Sequence, residues 1–226
     1  MTGRLLLVRH GITTWNREGR FQGHLDPPLA PEGLEEVRLV AARIRDAADL
    51  RAARIISSPL ARARQTAEII SAALAMDGAT AELTFDPDLV ELGQGEWEGK
   101  THAELAVQDA ERYAAWRSRT GNNPPPGGEA VEAGARRVSA ALERALDGGG
   151  WPLCIVTHGG TLRLLAEQLL NLERPRAWAL EVDNASLSIL DPESGGWRLV
   201  RWNDVGHLLG RVPLHVGEED GSVLAF

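Results

Sequence analysis

Arg9-His10-Gly11 stands at the end of the apolar run Leu5-Leu6-Leu7-Val8. A buried strand that stops there delivers an imidazole and a guanidinium together to the C-terminal edge of a sheet, where open α/β sheets hold their ligands. The arrangement returns far along the chain, where Leu153-Cys154-Ile155-Val156-Thr157 runs into His158-Gly159-Gly160. Two strands that each end in His and Gly suggest two imidazoles converging on one small anion. Phosphoryl transfer to a side chain needs a nucleophile, positive charge on the non-bridging oxygens and an acid for the leaving oxygen. His10 is the expected nucleophile, a neutral imidazole that attacks phosphorus and becomes a phosphohistidine. Arg9 beside it and Arg62, in the first turn of the helix after Ser57-Ser58-Pro59, offer donor forks matched to phosphate oxygens. His158 is expected to donate to the phosphoryl group, with the Gly159 amide as a further donor at a helix start. Glu91 is the expected proton donor: it ends an extended run and precedes a Gly-rich turn. Beside a dianionic phosphate the protonated carboxyl is favoured. Thr13, Asn16, Gln22 and the Gly23 backbone follow His10 and can grip phosphate oxygens without adding charge.

Each of these residues alone has a plainer reading, as a structural histidine, a solvated helix arginine or a turn carboxylate. The set and its order carry the argument. Arg64 is read as a solvated helix residue, and Trp97 and Trp116 as packing residues. His24, His102, His207 and His215 are read as non-catalytic. No metal or cofactor is expected: hydrolytic metal centres usually need carboxylates beside their histidines, and Arg9 and Arg62 would repel a cation.

The 226 residues suffice for one α/β domain, and 43% hydrophobic with 25% charged residues is a globular balance. A net charge of −8 argues against a nucleic-acid surface, which makes the arginines near the two histidine motifs stand out. The single cysteine, Cys154, lies within an apolar strand and suits a reducing compartment. No apolar stretch reaches about 18 residues, and Met1-Thr2-Gly3-Arg4 leads straight into a core strand, so neither membrane nor secretion is expected. The expected location is the cytoplasm.

Strands and helices alternate. Leu5–Val8 reads as a strand buried on both faces. Leu34, Val37, Val40, Ala41 and Ile44 fall at helical spacing after Pro31. Arg54–Ser57 reads as a strand, with Ser58 and Pro59 as N-cap and first turn of a helix to about Leu74. Leu83–Leu92 reads as extended. Helices are expected at His102–Arg117 and Glu129–Leu146, separated by the Pro/Gly segment 121–128. A helix from Thr161 to about Leu170 and strands near Ser186–Leu190 and Trp197–Trp202 follow the second histidine motif. The expected fold is α/β: a three-layer α/β/α sandwich with a mostly parallel sheet and a small helical cap inserted at about 100–130. The segment from Gly217 to Phe226 is acidic and reads as poorly ordered.

Together these motifs resemble the histidine phosphatase superfamily, also called phosphoglycerate mutase-like. The resemblance covers Leu7-Val8-Arg9-His10-Gly11 with Thr13, Trp15-Asn16 and Phe21-Gln22-Gly23, then Ser57-Ser58-Pro59-Leu60-Ala61-Arg62. It continues through Glu91-Leu92-Gly93-Gln94-Gly95-Glu96-Trp97-Glu98-Gly99, Val156-Thr157-His158-Gly159-Gly160, Asn184-Ala185-Ser186 and Trp202-Asn203. It implies one domain over 1–226, with Arg9, His10, Arg62 and His158 as the phosphate pocket and Glu91 as proton donor. Where the family usually has Glu or Gln after Arg-His-Gly, this chain has Ile12, which is expected to alter the pocket entrance rather than the chemistry.

The same resemblance leaves two activities open. A phosphatase passes the phosphoryl group to water, whereas a mutase returns it to a second hydroxyl. Cofactor-dependent mutases resemble one another in a longer insertion bearing an adjacent Arg pair and a Lys. Here Lys100 to Glu129 holds Lys100, Arg112, Arg117 and Arg119 without such a pair, and Pro126-Gly127-Gly128-Glu129 looks like the shorter phosphatase branch. A phosphatase acting on a small-molecule phosphomonoester is favoured, with resemblance to sugar-phosphoglycerate phosphatases around Asn184-Ala185-Ser186. A phosphoglycerate mutase is the alternative. A catalytically silent binding protein is disfavoured because every catalytic position is filled. Relatives often dimerise, and an apolar strand such as Ser186–Leu190 offers a pairing edge, so a homodimer is expected.

Overall fold

A computed structural model describes residues 3–118 and 122–209. Six strands form one sheet: β1 (Leu5–Arg9), β2 (Arg54–Ser57), β3 (Glu82–Phe85), β4 (Leu153–Thr157), β5 (Leu187–Glu193) and β6 (Gly196–Asp204). Their order is β3-β2-β4-β1-β5-β6, and all but β5 run in one direction. Helices are α1 (Thr14–Arg17), α2 (Pro31–Asp46), α3 (Ala61–Met76), α4 (His102–Gln108), α5 (Ala110–Arg117), α6 (Val131–Asp147), α7 (Gly159–Leu169) and α8 (Arg174–Trp178). The architecture is the expected three-layer α/β/α sandwich.

Alternation along β1 sorts the two faces. Leu5 and Leu7 join Leu153 and Ile155 under α6 and α7, through Val138, Leu142, Leu162 and Leu165. Leu6 and Val8 join Cys154 and Val156 under α2 and α3, through Val40, Ile44, Ala67 and Ile70. Successive strand side chains point to opposite faces, so a continuous apolar run is what a centre strand needs. β1 and β4 pair in parallel with Arg9 opposite Thr157. His10 and His158, one residue beyond that pair, therefore leave the sheet side by side. A third cluster, Phe21, Trp97, Leu105 and Tyr113 with Trp116 against it, packs α4 and α5 beyond the sheet edge.

Four expectations change. The segment His102–Arg117 breaks at Asp109, whose backbone leaves helical geometry while its carboxylate accepts the Trp97 indole N–H at 3.0 Å. Of Leu83–Leu92 only the first part pairs as β3, because Pro87–Leu89 turns back as a 3-10 helix capped by Asp86. Ser58 is not the N-cap of α3: Leu60 holds that place, and the Ser58 hydroxyl turns to His158. β5 is paired on both sides, by β1 and β6, so its edge is closed to a second subunit. Among the described residues no helix is long and apolar enough to cross a membrane. The expectations for Arg119, His215 and 217–226 lie outside the described residues.

Candidate active site

Parallel pairing of β1 and β4 places the His10 and His158 rings with centroids 5.1 Å apart, tilted by 59°. Both are buried, as are Arg9, Arg62 and Glu91. The His10 backbone is held on two sides: its N–H donates to Thr157 O at 3.0 Å, and its carbonyl accepts from the Ala185 amide at 3.0 Å and Asn184 Nδ2 at 3.1 Å. His10 Nδ1 lies 2.8 Å from Gly11 O. A carbonyl only accepts, so Nδ1 carries the proton and Nε2 keeps its lone pair. Burial, then Arg62 and Arg9, push the His10 imidazole well below its ordinary value of 6.5. It is a neutral base at neutral pH, as a nucleophile must be.

His158 is likewise held well below 6.5, first by burial and then by Arg62, His10 and Arg9. Its Nε2 shares a 2.8 Å hydrogen bond with Ser58 Oγ, while Nδ1 is buried with no partner in the protein. When the serine hydroxyl donates, the ring proton sits on Nδ1.

Arg62 reaches the site from the first turn of α3. Its two terminal nitrogens donate to Leu25 O and Gly23 O, each at 2.9 Å, and its buried Nε has no protein partner. Burial lowers it to about 10, against the opposing pull of Glu91 and Asp26, so it stays cationic. Arg9 donates to Val182 O, and Glu91, Asp183 and Glu36 support its charge against burial. Two guanidiniums and two neutral imidazoles thus lie close together at the sheet edge.

The loop after β1 is cross-linked by its own side chains. Asn16 Oδ1 accepts from the Thr13 amide at 3.0 Å, Thr13 Oγ1 accepts from the Asn16 amide at 3.1 Å, and Thr13 also bonds Gln22 Oε1. Gly23 has a φ of +50°, and a Cβ there would lie 2.1 Å from Glu98 Oε1, so only glycine fits the turn that Arg62 grips.

Glu91 sits over the start of α7. Its oxygens accept from Leu92 N at 2.8 Å, Gly160 N at 3.1 Å and Thr161 N at 3.2 Å. The helix N-terminus orients this carboxyl. Its carbonyl is held too, by His24 Nε2 at 2.9 Å and Arg137 Nη2 at 3.1 Å. Arg137 also donates to Asp88 O and Val90 O, and pairs with both oxygens of Glu129 at 2.8 Å. A cleft partly open to solvent begins at Glu91 and Gly160 and runs toward α5, α8 and the 123–131 segment.

The expected set therefore converges: Arg9, His10, Arg62, Glu91 and His158 lie at one sheet edge, with Asn16, Gln22 and Gly23 supporting it. Gly159 opens α7 directly after His158. His102 lies in the aromatic cluster against Phe21, and His207 bonds Ala185 O. Arg64 is exposed over the Phe85 ring, and Trp97 is buried in packing, whereas Trp116 both packs on Phe21 and lines the cleft. Arg112 is exposed and paired with Asp109. Ile12 is buried rather than at the entrance, its amide donating to Glu36 Oε2 at 3.0 Å.

Four residues make contacts at the site that the sequence did not point to. Ser58 and Asn184 lie inside quoted motifs, but their contacts cross the fold. Glu36 carried a signal, since it occupies the apolar stripe of α2 between Gly33 and Val40. Arg137 carried none, being one arginine among many. Among the described residues no group of three or more His, Cys, Asp or Glu is placed to hold a metal.

Comparison with known proteins points to one family. The sequence profile of the histidine phosphatase superfamily, branch 1, matches residues 5–205. The probable phosphoglycerate mutase of Shigella boydii is 37% identical over 216 residues, covering 91% of this chain and 94% of the relative. The adenosylcobalamin/alpha-ribazole phosphatase of Salmonella typhimurium is 35% identical over 190 residues, covering 83% and 90%. Among solved structures, a mycobacterial glucosyl-3-phosphoglycerate phosphatase complexed with VO3 superposes with a TM-score of 0.78. It is 29% identical and covers 89% of this chain and 99% of its own.

Proposed function

The chain belongs to the histidine phosphatase superfamily, branch 1, and from that premise we propose that His10 is the nucleophile of a phosphomonoester hydrolase acting on a small phosphorylated metabolite. The observation that carries this is the His10 tautomer, with Nδ1–H on Gly11 O and Nε2 left with its lone pair in a ring that feels both Arg62 and Arg9. Nε2 attacks phosphorus, the P–N bond forms and the ester P–O bond breaks. The Gly11 carbonyl stabilises the positive ring that results. Arg9, Arg62, His158 and the Gly159 amide take the charge of the non-bridging oxygens. Glu91 gives its proton to the leaving alcohol oxygen, then as carboxylate takes a proton from the water that attacks the phosphohistidine. The products are the alcohol and inorganic phosphate, with His10 restored. Asn16, Gln22 and Gly23 hold the loop over the phosphate. Residues 1–226 act as one domain, with about 100–130 as its cap, and a cysteine buried in β4 fits a reducing cytoplasm.

The similarity to a probable phosphoglycerate mutase favours one second reading, in which the phosphoryl group returns to a hydroxyl. One experiment separates the two. The purified protein, with chelator, is incubated with a panel of phosphomonoesters including 3-phosphoglycerate, and released phosphate and 2-phosphoglycerate are both measured beside a His10→Ala control. Free phosphate that disappears in the variant supports the hydrolase. Isomerisation stimulated by 2,3-bisphosphoglycerate, with little free phosphate, replaces it with the mutase, and no turnover of either kind leaves a binding protein.

A further inference from the structure

His10 Nδ1 donates to Gly11 O at 2.8 Å. The other half of that same peptide group, the Ile12 amide, donates to Glu36 Oε2 at 3.0 Å. One planar unit thus joins the imidazole to a carboxylate that is itself buried in the inner stripe of α2. The backbone on either side of that unit is clamped. The Gly11 amide donates to Thr66 Oγ1 at 3.2 Å, and the Ile12 carbonyl accepts from the Ala30 amide at 2.9 Å. The first turn of α2 lies so close that a Cβ on Gly33 would be 2.1 Å from Ile12 O, and one on Gly11 would be 2.7 Å from Gly33 O. The Gly11 carbonyl is therefore fixed toward His10 by contacts on both sides of it.

A glutamine would serve the Ile12 amide as acceptor without the cost of burying a charge. A carboxylate adds a negative charge at the far end of a polarisable peptide. Hydrogen bonds in a row strengthen one another, and a charged acceptor strengthens them most. Resting on the hydrolase reading above, we propose that Glu36 is a positioning residue for the nucleophile. Through the Gly11–Ile12 peptide it holds Nδ1–H of His10 and, as carboxylate, raises the electron density at the Nε2 that attacks phosphorus. Burial raises the Glu36 carboxyl above 4.5, against the pull of the Ile12 amide and Arg9. The charged or titratable groups that bear on it are Arg9 and, through the peptide, His10, both at the end of β1. From α3, Arg62 turns to Gly23 and Leu25, and Thr66 offers its hydroxyl to Gly11. Farther along α2, Asp204 and His207 face Arg43.

The test compares the wild type with Glu36→Gln, which keeps the acceptor and loses the charge, and Glu36→Asp, which keeps the charge. For each, kcat/KM for ethyl phosphate and for an activated aryl phosphate is followed from well above 6.5 down to 4.5, the ordinary histidine and glutamate values. At the upper end Glu36→Gln is expected to lose about tenfold, the scale for a group that acts through another. The loss is equal on both esters, because the nucleophile attacks in both. The wild-type-to-variant ratio then falls toward one as pH drops. The wild-type carboxylate protonates, and His10 in the variant, without that negative charge, takes up its proton at lower pH. Ester ionisation cancels in the ratio, and an inactive fraction leaves its pH dependence unmoved. Glu36→Asp is expected to keep the wild-type acid limb whatever its rate. A Glu36→Gln enzyme as fast as wild type, a loss of one size at every pH, a loss confined to one ester, no activity left to titrate, or a Glu36→Asp limb displaced as far as that of Glu36→Gln overturns the role of Glu36 while the hydrolase reading stands. No phosphate release from the wild type, or release that persists in His10→Ala, overturns both.

Discussion

Gly160→Ala separates the placement of Glu91 from the stability of the fold. Gly160 is the second residue of α7, and a Cβ there would lie 2.6 Å from Glu91 Oε1 and 3.1 Å from Leu92 Cδ1. To restore ordinary contact at 3.4 Å, the carboxyl must move by about 0.8 Å. The oxygen it displaces is the one bonded to Leu92 N at 2.8 Å and Thr161 N at 3.2 Å, so at least the longer bond is lost. A misplacement of about 1 Å costs on the order of 10²-fold in rate, or about 2.7 kcal/mol of transition-state stabilisation. Stability moves less. Alanine is favoured over glycine in a helix by up to about 1 kcal/mol, which offsets overpacking of about 1–3 kcal/mol. A net loss of about 2 kcal/mol or less corresponds to a fall in Tm of under about 8 °C for a chain of this size. The assay is kcat for ethyl phosphate, whose alkoxide needs a proton, beside an activated aryl phosphate, whose leaving group does not, with thermal unfolding followed by circular dichroism. The expected result is a loss near 10²-fold for the alkyl ester, a much smaller loss for the aryl ester and a fall in Tm within that bound of about 8 °C. Equal losses on both esters, or full activity on both, would refute the assignment of Glu91 as the acid held by α7.

Arg137→Ala is expected to show the same leaving-group dependence at a smaller size, about tenfold on the alkyl ester, because it removes one of two hydrogen bonds to the Glu91 carbonyl without touching the carboxyl; equal losses on both esters mean that Arg137 only supports the fold. The acid limb of kcat/KM, which reports the free enzyme, is expected below pH 6.5, since His10 and His158 are both depressed and lose their lone pairs only as pH falls through their folded values. After correction for the ester's own ionisation near pH ~6, a limb at or above 6.5 contradicts that environment. Stability follows the same sign at His102, which burial, then Arg117, lowers from 6.5 to about 4. The unfolded chain takes up the proton first, so this contribution is fully present above 6.5 and lost toward 4, up to about 3 kcal/mol. His102→Phe is expected to flatten the fall of Tm with pH over that range, and an unchanged slope counts against it.

Much of the candidate site was legible because the signals that mark it are local. A continuous apolar run such as Leu5–Val8 or Leu153–Val156 marks a strand covered on both faces, and the residue after such a strand lies at the sheet edge whatever the rest of the chain does. That fixes His10 and His158 in type and place, and Arg9 with them. Helical periodicity located α2 and α6 for the same reason. Ser58 shows where local reading stops. Ser-Pro before a helix has the composition of a cap, yet its hydroxyl reaches His158, 100 residues away, because β2 and β4 are neighbours in the sheet. Sequence spacing contains no such distance.

The sequence by itself determined which histidines and arginines stand at the ends of buried strands and which edge they occupy, since strand period and residue type are properties of short segments. Only the tertiary structure decided their protonation, their aim and their surroundings. The His10 tautomer depends on where the Gly11 carbonyl turns, the imidazoles are neutral because the fold excludes water and brings in Arg62, and Glu91 is placed by amides of a helix that begins almost seventy residues later. The cleft beside it is assembled from α5, α7, α8 and a Pro-rich strap, segments that meet only when the sheet order brings them together. Burial and long-range contact are sums over the whole chain, and no window of sequence holds them.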